Sequence, residues 1–157
     1  MTPSEPPAPV LVCSAGNETT RAIIDAVANL FPDRPVVVLR AWRSIEFTVA
    51  SSTAASIGTP TVDYVALDDA VRKEAEADAA AGADYARSLG LDATSEASRA
   101  DQPVWKVILE RAEAHGAQAI ITGTRGHGEF ESAIIGSTSH ALLQHSTVPV
   151  VVVTTHE

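Results

Sequence analysis

Short, uninterrupted apolar runs punctuate the chain: Val10-Leu11-Val12-Cys13, Val36-Val37-Val38-Leu39, Ala119-Ile120-Ile121-Thr122 and Val148-Pro149-Val150-Val151-Val152-Val153. Runs of this length, with no polar residue at alternate positions, predict strands covered on both faces. Pro149 falls near the start of the last run, where a missing N–H does least harm. Helical spacing fills the intervals. Glu18 to Phe31 puts Ile23, Ile24, Val27 and Leu30 on one face, and Pro32-Asp33-Arg34-Pro35 ends it. Ala70 to Leu89 predicts an alanine-rich amphipathic helix capped by Gly90. Residues 91 to 98 predict a polar, edge-like strand. Pro103 suits the first turn of a helix running to His115 with Gly116 as its stop, and Val104, Val107, Ile108 and Ala112 face inward. Ser137 to His145 predicts one more helix. Arg43 to Asp69, rich in Ser, Thr and Ala, shows no period and reads as a surface loop. Residues 1 to 9 carry four prolines and read as a disordered tail ahead of one domain spanning 10 to 155.

Strands alternating with helices in this order predict an α/β fold, a single doubly wound five-stranded parallel sheet with helices on both faces. Such sheets bind ligands beyond the carboxyl ends of their strands, where strand order reverses. Strands one and four flank that point, so the loops Ser14 to Glu18 and Gly123 to Ser137 are the expected site.

Composition narrows the ligand. The chain has 157 residues, 45% hydrophobic but only 4% aromatic, so its core rests on Val, Ile, Leu and Ala. Eleven basic against twenty acidic residues give a net charge of −9. That argues against a nucleic-acid surface, which needs a basic field, and against docking to anionic membrane. An anionic ligand therefore needs local donors. No run approaches the roughly 18 apolar residues of a membrane span, and the proline-rich start lacks the basic and apolar regions of a signal peptide. Cytoplasm is the expected location. Cys13, the only cysteine, excludes an internal disulfide and reads as an inert buried thiol.

The glycine-rich segment from Gly123 to Ser139 carries the candidate chemistry. Gly123 and Gly126 follow a strand and let backbone approach a ligand without a Cβ. Gly136 precedes Ser137 at a helix start, where unpaired N–H groups and the positive dipole end attract an anion. Ser137, Thr138 and Ser139 add hydroxyls. No Gly-Lys dipeptide is present, so there is no Walker A loop, and Gly126-His127-Gly128 lacks the third glycine of a dinucleotide fingerprint.

With Gly123-x2-Gly126-x9-Gly136-Ser137, the sequence resembles the universal stress protein family, whose ATP-binding signature has this spacing. The resemblance runs over nearly the whole chain after the tail, through the Thr122-Gly123-Thr124-Arg125-Gly126 run and the Val148-Pro149-Val150 ending. It implies a flavodoxin-like, adenine nucleotide alpha hydrolase-like sheet of order 3-2-1-4-5, ATP binding in one subclass, and a homodimer, often through the C-terminal strand. Carried onto this chain, the nucleotide-binding residues are Ala15, Gly16, Asn17, Val38, Gly123, Arg125, Gly126, His127, Gly136, Ser137 and Thr138, with adenine near Ala15, Val38 and the residues around Ala41. Two departures stand out. Ala15 occupies the position where the family usually has Asp, with Asn17 as the nearby polar substitute. Glu129 and Glu131 stand where Lys or Arg is common, and they oppose phosphate unless they point away or hold Mg2+.

Other constellations are weaker. His140 and His145 are five apart and do not share a helix face as a metal pair would. No Gly-x-Ser-x-Gly elbow supports a nucleophile at Ser14. Asp63, Asp68, Asp69, Glu74, Glu76 and Asp78 read as a solvated face leading into a helix, and Trp42 and Trp105 as packing residues. No dedicated base or lysine points to catalysis. Three functions follow: a nucleotide-binding regulatory or stress-response module; a dimeric interaction domain that has lost ATP; and a slow ATPase.

Overall fold

A computed structural model describes residues 4–50, 62–124 and 135–154. The elements follow in order as β1 (Val10–Cys13), α1 (Asn17–Leu30), β2 (Val36–Trp42), α2 (Ile45–Ala50), α3 (Tyr64–Ser88), β3 (Ala93–Arg99), α4 (Val104–Ala114), β4 (Ala119–Gly123), α5 (Ser137–His145) and β5 (Val150–Val153). The five strands form one parallel sheet in the order β3-β2-β1-β4-β5.

Side-chain alternation divides the core into two layers. Val10, Val12, Val36, Val38 and Ile121 face α1 and α3, meeting Ile23, Ile24, Val27 and Ala83. Leu11, Cys13, Val37, Leu39 and Ile120 face α4 and α5, meeting Ile108, Ala112 and Leu142. Both layers exclude water, so the central strands are apolar on both faces up to their carboxyl ends, where Arg40 and Thr122 stand. Polar β3 lies at one edge, as its sequence predicts, and β5 at the other. After α3 and α4 the chain turns through Gly90 and Gly116, whose φ of 86° and 61° suits glycine. Paired bonds close each helix: Leu91 N to Ala86 O with Gly90 N to Arg87 O, and Ala117 N to Ala112 O with Gly116 N to Glu113 O.

The segment 43–69 departs from its sequence reading as a loop. Ser44 caps α2, its Oγ accepting from Phe47 N at 3.3 Å. Asp63 caps α3 through Ala66 N at 3.1 Å, so α3 begins at Tyr64 rather than Ala70. Residues 51–61 lie outside the described residues. Asp68 departs from the solvated face too: it is 9% exposed. Its Oδ2 accepts from Ser44 Oγ at 2.5 Å and its Oδ1 from Ile45 N at 2.6 Å, fastening α2 to α3. Ser44's hydrogen bond, opposed by burial and supported by Ile45 N–H and by Arg99, holds the Asp68 carboxyl below its ordinary pKa.

Candidate functional site

A cleft of about 320 Å3 opens at the carboxyl ends of β1, β2 and β4, at the switch point where the sheet order reverses. Its floor and one wall are apolar: Cys13, Leu39 and Ala41 from the strands, Val104 and Ile108 from α4. The opposite rim is polar, made by Ser14, Thr19, Thr122, Gly123 and the first turn of α5.

The β1–α1 turn is built around Thr20, 3% exposed, whose Oγ1 lies 3.2 Å from both Ser14 Oγ and Ala15 N. At α5 the first intrahelical bond runs from His140 N to Gly136 O. The N–H groups of Ser137, Thr138 and Ser139 therefore have no helical acceptor, and no side chain caps this end. Buried Ser139 fixes its position, with Oγ 3.2 Å from Thr122 Oγ1 and donating to Gly123 O at 3.3 Å. The result is a helix N-terminus aimed at the cleft with its donors and positive dipole end available for an anion.

Arg40 is the one charged side chain lining the cleft among the described residues. Its Nη1 donates to Ser14 O at 3.1 Å, and its Nε lies 3.5 Å from Asp78 Oδ2 on α3. No carboxylate is among the described lining. Burial pushes the Cys13 thiol up to about 12, so it stays protonated and contributes only apolar surface.

The backbone of β2 supplies a further pair of groups. Trp42 O accepts from Ala100 N on the β3 side, while Leu39 O accepts from Ser14 N on the β1 side. Alternation along the strand puts the N–H and C=O of Ala41 on the β1 side as well. There β1 has already ended, since its register with β2 stops at Cys13 against Leu39. A donor and an acceptor thus lie side by side on the cleft wall.

Of the residues proposed from sequence, Ala15, Gly123, Gly136 and Thr138 line this cleft. Ser137 is the first residue of α5, Gly16 precedes α1 with φ 113°, and Asn17 begins α1. Val38 is not brought to the site: it is fully buried on the α1–α3 face, and its neighbours Leu39 and Ala41 line the cleft instead. Gly123 has a second structural role, because a Cβ there would come within 2.9 Å of Thr19 Cγ2 and 3.1 Å of Ile23 Cδ1, so its bareness also lets α1 approach β4. Arg125, Gly126, His127, Glu129 and Glu131 lie outside the described residues. Sequence reasoning missed Thr20 and the α4 wall and reached Leu39 and Arg40 only as neighbours of Ala41. The unbroken apolar run of β2 marks no face, and the α4 wall depends on tertiary packing alone. His145 stacks on Trp105 with centroids 4.6 Å apart. The described residues contain no group of three or more potential metal ligands.

The sequence profile of the universal stress protein family matches residues 8–154. No curated protein matches the chain. Among solved structures, a universal stress protein family member from Burkholderia pseudomallei superposes with a TM-score of 0.70 at 21% identity, covering 96% of this chain and 98% of that one. One from Archaeoglobus fulgidus, solved in complex with dAMP, gives 0.63 at 17%, covering 95% and 99%. Another universal stress protein, in complex with cAMP, gives 0.63 at 17%, covering 97% and 100%.

Proposed function

The chain belongs to the universal stress protein family, and from that premise we propose that it is a nucleotide-binding module with a regulatory role, its cleft taking an adenine nucleotide. The observation that carries the proposal is the pairing, across one cleft, of an apolar wall with an open helix N-terminus. The base packs on Leu39, Val104 and Ile108. The adjacent N–H and C=O of Ala41 match the N1 acceptor and N6 donor of adenine. Phosphate meets the N–H groups of Ser137, Thr138 and Ser139 and the hydroxyl of Thr138, beside Gly123 and Gly136. Two structural relatives hold dAMP and cAMP, both adenine monophosphates. For ATP, the family signature assigns the outer phosphates to Arg125, Gly126 and His127, which lie outside the described residues. Were Mg2+ to accompany the nucleotide, Glu129 and Glu131 are the carboxylates of that segment that would hold it and help offset the phosphate charge.

The described lining supplies positioning without a general base, since Arg40 only donates and Cys13 stays protonated. Binding and signalling fit this chemistry better than turnover. Such a module works as a homodimer in this proposal, paired through the half-exposed edge strand β5.

Calorimetry with AMP and with Mg-ATP on nucleotide-free protein tests the assignment. Saturable one-site binding is expected, and Thr138→Glu, which places a carboxylate at the anion site, weakens it by about tenfold or more, equivalent to ~1.4 kcal/mol. Absence of both heat and thermal shift at millimolar nucleotide would rule the assignment out.

A further inference from the structure

In a continuing parallel ladder, Ser14 would donate its N–H to Leu39 O and accept the N–H of Ala41. The first bond is present at 2.8 Å. The second is replaced: Ser14 O takes Nη1 of Arg40 at 3.1 Å. The arginine comes from the β2 residue between Leu39 and Ala41, and Asp78 on α3 steadies it from the far side at 3.5 Å. Both side chains are sheltered, with 33% and 26% of their surface exposed, so the contact lies against the carboxyl end of the sheet and not in open solvent.

The geometry points to Arg40 as a positioning residue that sets base specificity: by capping the last carbonyl of β1 it stops the β1–β2 ladder one rung early and keeps the Ala41 N–H open for the ligand. This rests on the nucleotide reading above. An open N–H beside an open C=O favours a 6-aminopurine, which offers an acceptor next to a donor. A 6-oxopurine reverses the pair at those atoms, presenting N1–H to the N–H and O6 to the C=O. Because its charge is offset by Asp78, Arg40 acts as a directional donor to Ser14 more than as a free cation for phosphate.

Titration of AMP and IMP, which differ at the 6-position and N1, tests the role alongside hydrogen exchange of the Ala41 amide. Wild type is expected to prefer AMP by about tenfold, the worth of one well-placed hydrogen bond. Arg40→Met lets Ala41 N–H close onto Ser14 O. The preference then collapses, and the Ala41 amide gains protection from exchange. Arg40→Lys, which still reaches Ser14 O, keeps both behaviours, and Asp78→Asn weakens them. An unchanged AMP-to-IMP ratio in Arg40→Met, or equal Ala41 protection in both proteins, overturns the role. If wild type binds neither nucleotide, the nucleotide reading fails. Ala41 exchange then still decides whether Arg40 holds the rung open: no gain of protection in Arg40→Met rejects it.

Discussion

A carboxylate taken out of water must be repaid by donors, and Asp68 shows how locally that happens. Ser44 and Ile45 supply its partners from 24 and 23 positions away in sequence, with Arg99 3.7 Å from Oδ2. Its pKa is lowered by folding. The stability it contributes is therefore complete above the unfolded carboxylate's value near 3.9 and lost as pH falls through that value toward the lowered one. Urea midpoints at about pH 6 and about pH 3.5 should fall apart less in Asp68→Asn than in wild type, because Asn has no proton to take up there. Gly123 is a second residue whose neighbours decide its worth. With Thr19 Cγ2 only 2.9 Å from a built Cβ, Gly123→Ala should overpack the α1–β4 contact and cost about 1–3 kcal/mol in chemical denaturation.

The elements were legible to different degrees, for physical reasons. β1, β2, β4 and β5 announced themselves as apolar runs, and the helix stops at Gly90 and Gly116 followed from glycine's freedom at φ near 86° and 61°. The same double-sided burial that made the strands obvious hid their orientation. With no polar residue marking a face, nothing in Val36-Val37-Val38-Leu39 says which members meet α1 and which meet the cleft, and Val38, named for the adenine from sequence, packs on the α1–α3 side. The start of α3 and the whole of α2 were invisible because their apolar period is weak and their fastening, Ser44 to Asp68, is tertiary. The cleft's polar rim was readable as Gly136 with its hydroxyl neighbours, while its apolar wall on α4 required the packing. α5 ties these levels together: Leu142, fully buried against Leu11 and Ile120, anchors the helix whose first turn forms the anion site. Leu142→Ala should cost about 2–5 kcal/mol by urea unfolding and weaken nucleotide binding with it.

At the scale of the whole molecule, a sheet with two open edges has to cover or blunt them. β3 does so with Thr94, Glu96 and Arg99, whereas β5 is four valines, all half-exposed. Ile120 N and Thr124 N donate to the carbonyls of Pro149 and Val153, so the odd residues of β5 face β4 and Val152 turns its N–H outward. If the proposed β5-paired dimer forms, Val152→Pro should therefore leave a monomer on sizing chromatography with little loss of stability, while Val151→Pro, which removes an inward donor, should destabilise the protomer itself. No described helix is long and apolar enough to cross a membrane. One last consequence comes from the floor of the cleft. Cys13, the sole sulfur nucleophile of the chain, is 8% exposed and protonated. It is inert only while α4 stays docked on the sheet, so the alkylation rate of this single thiol clocks the breathing of the binding cleft, without any label added to the protein.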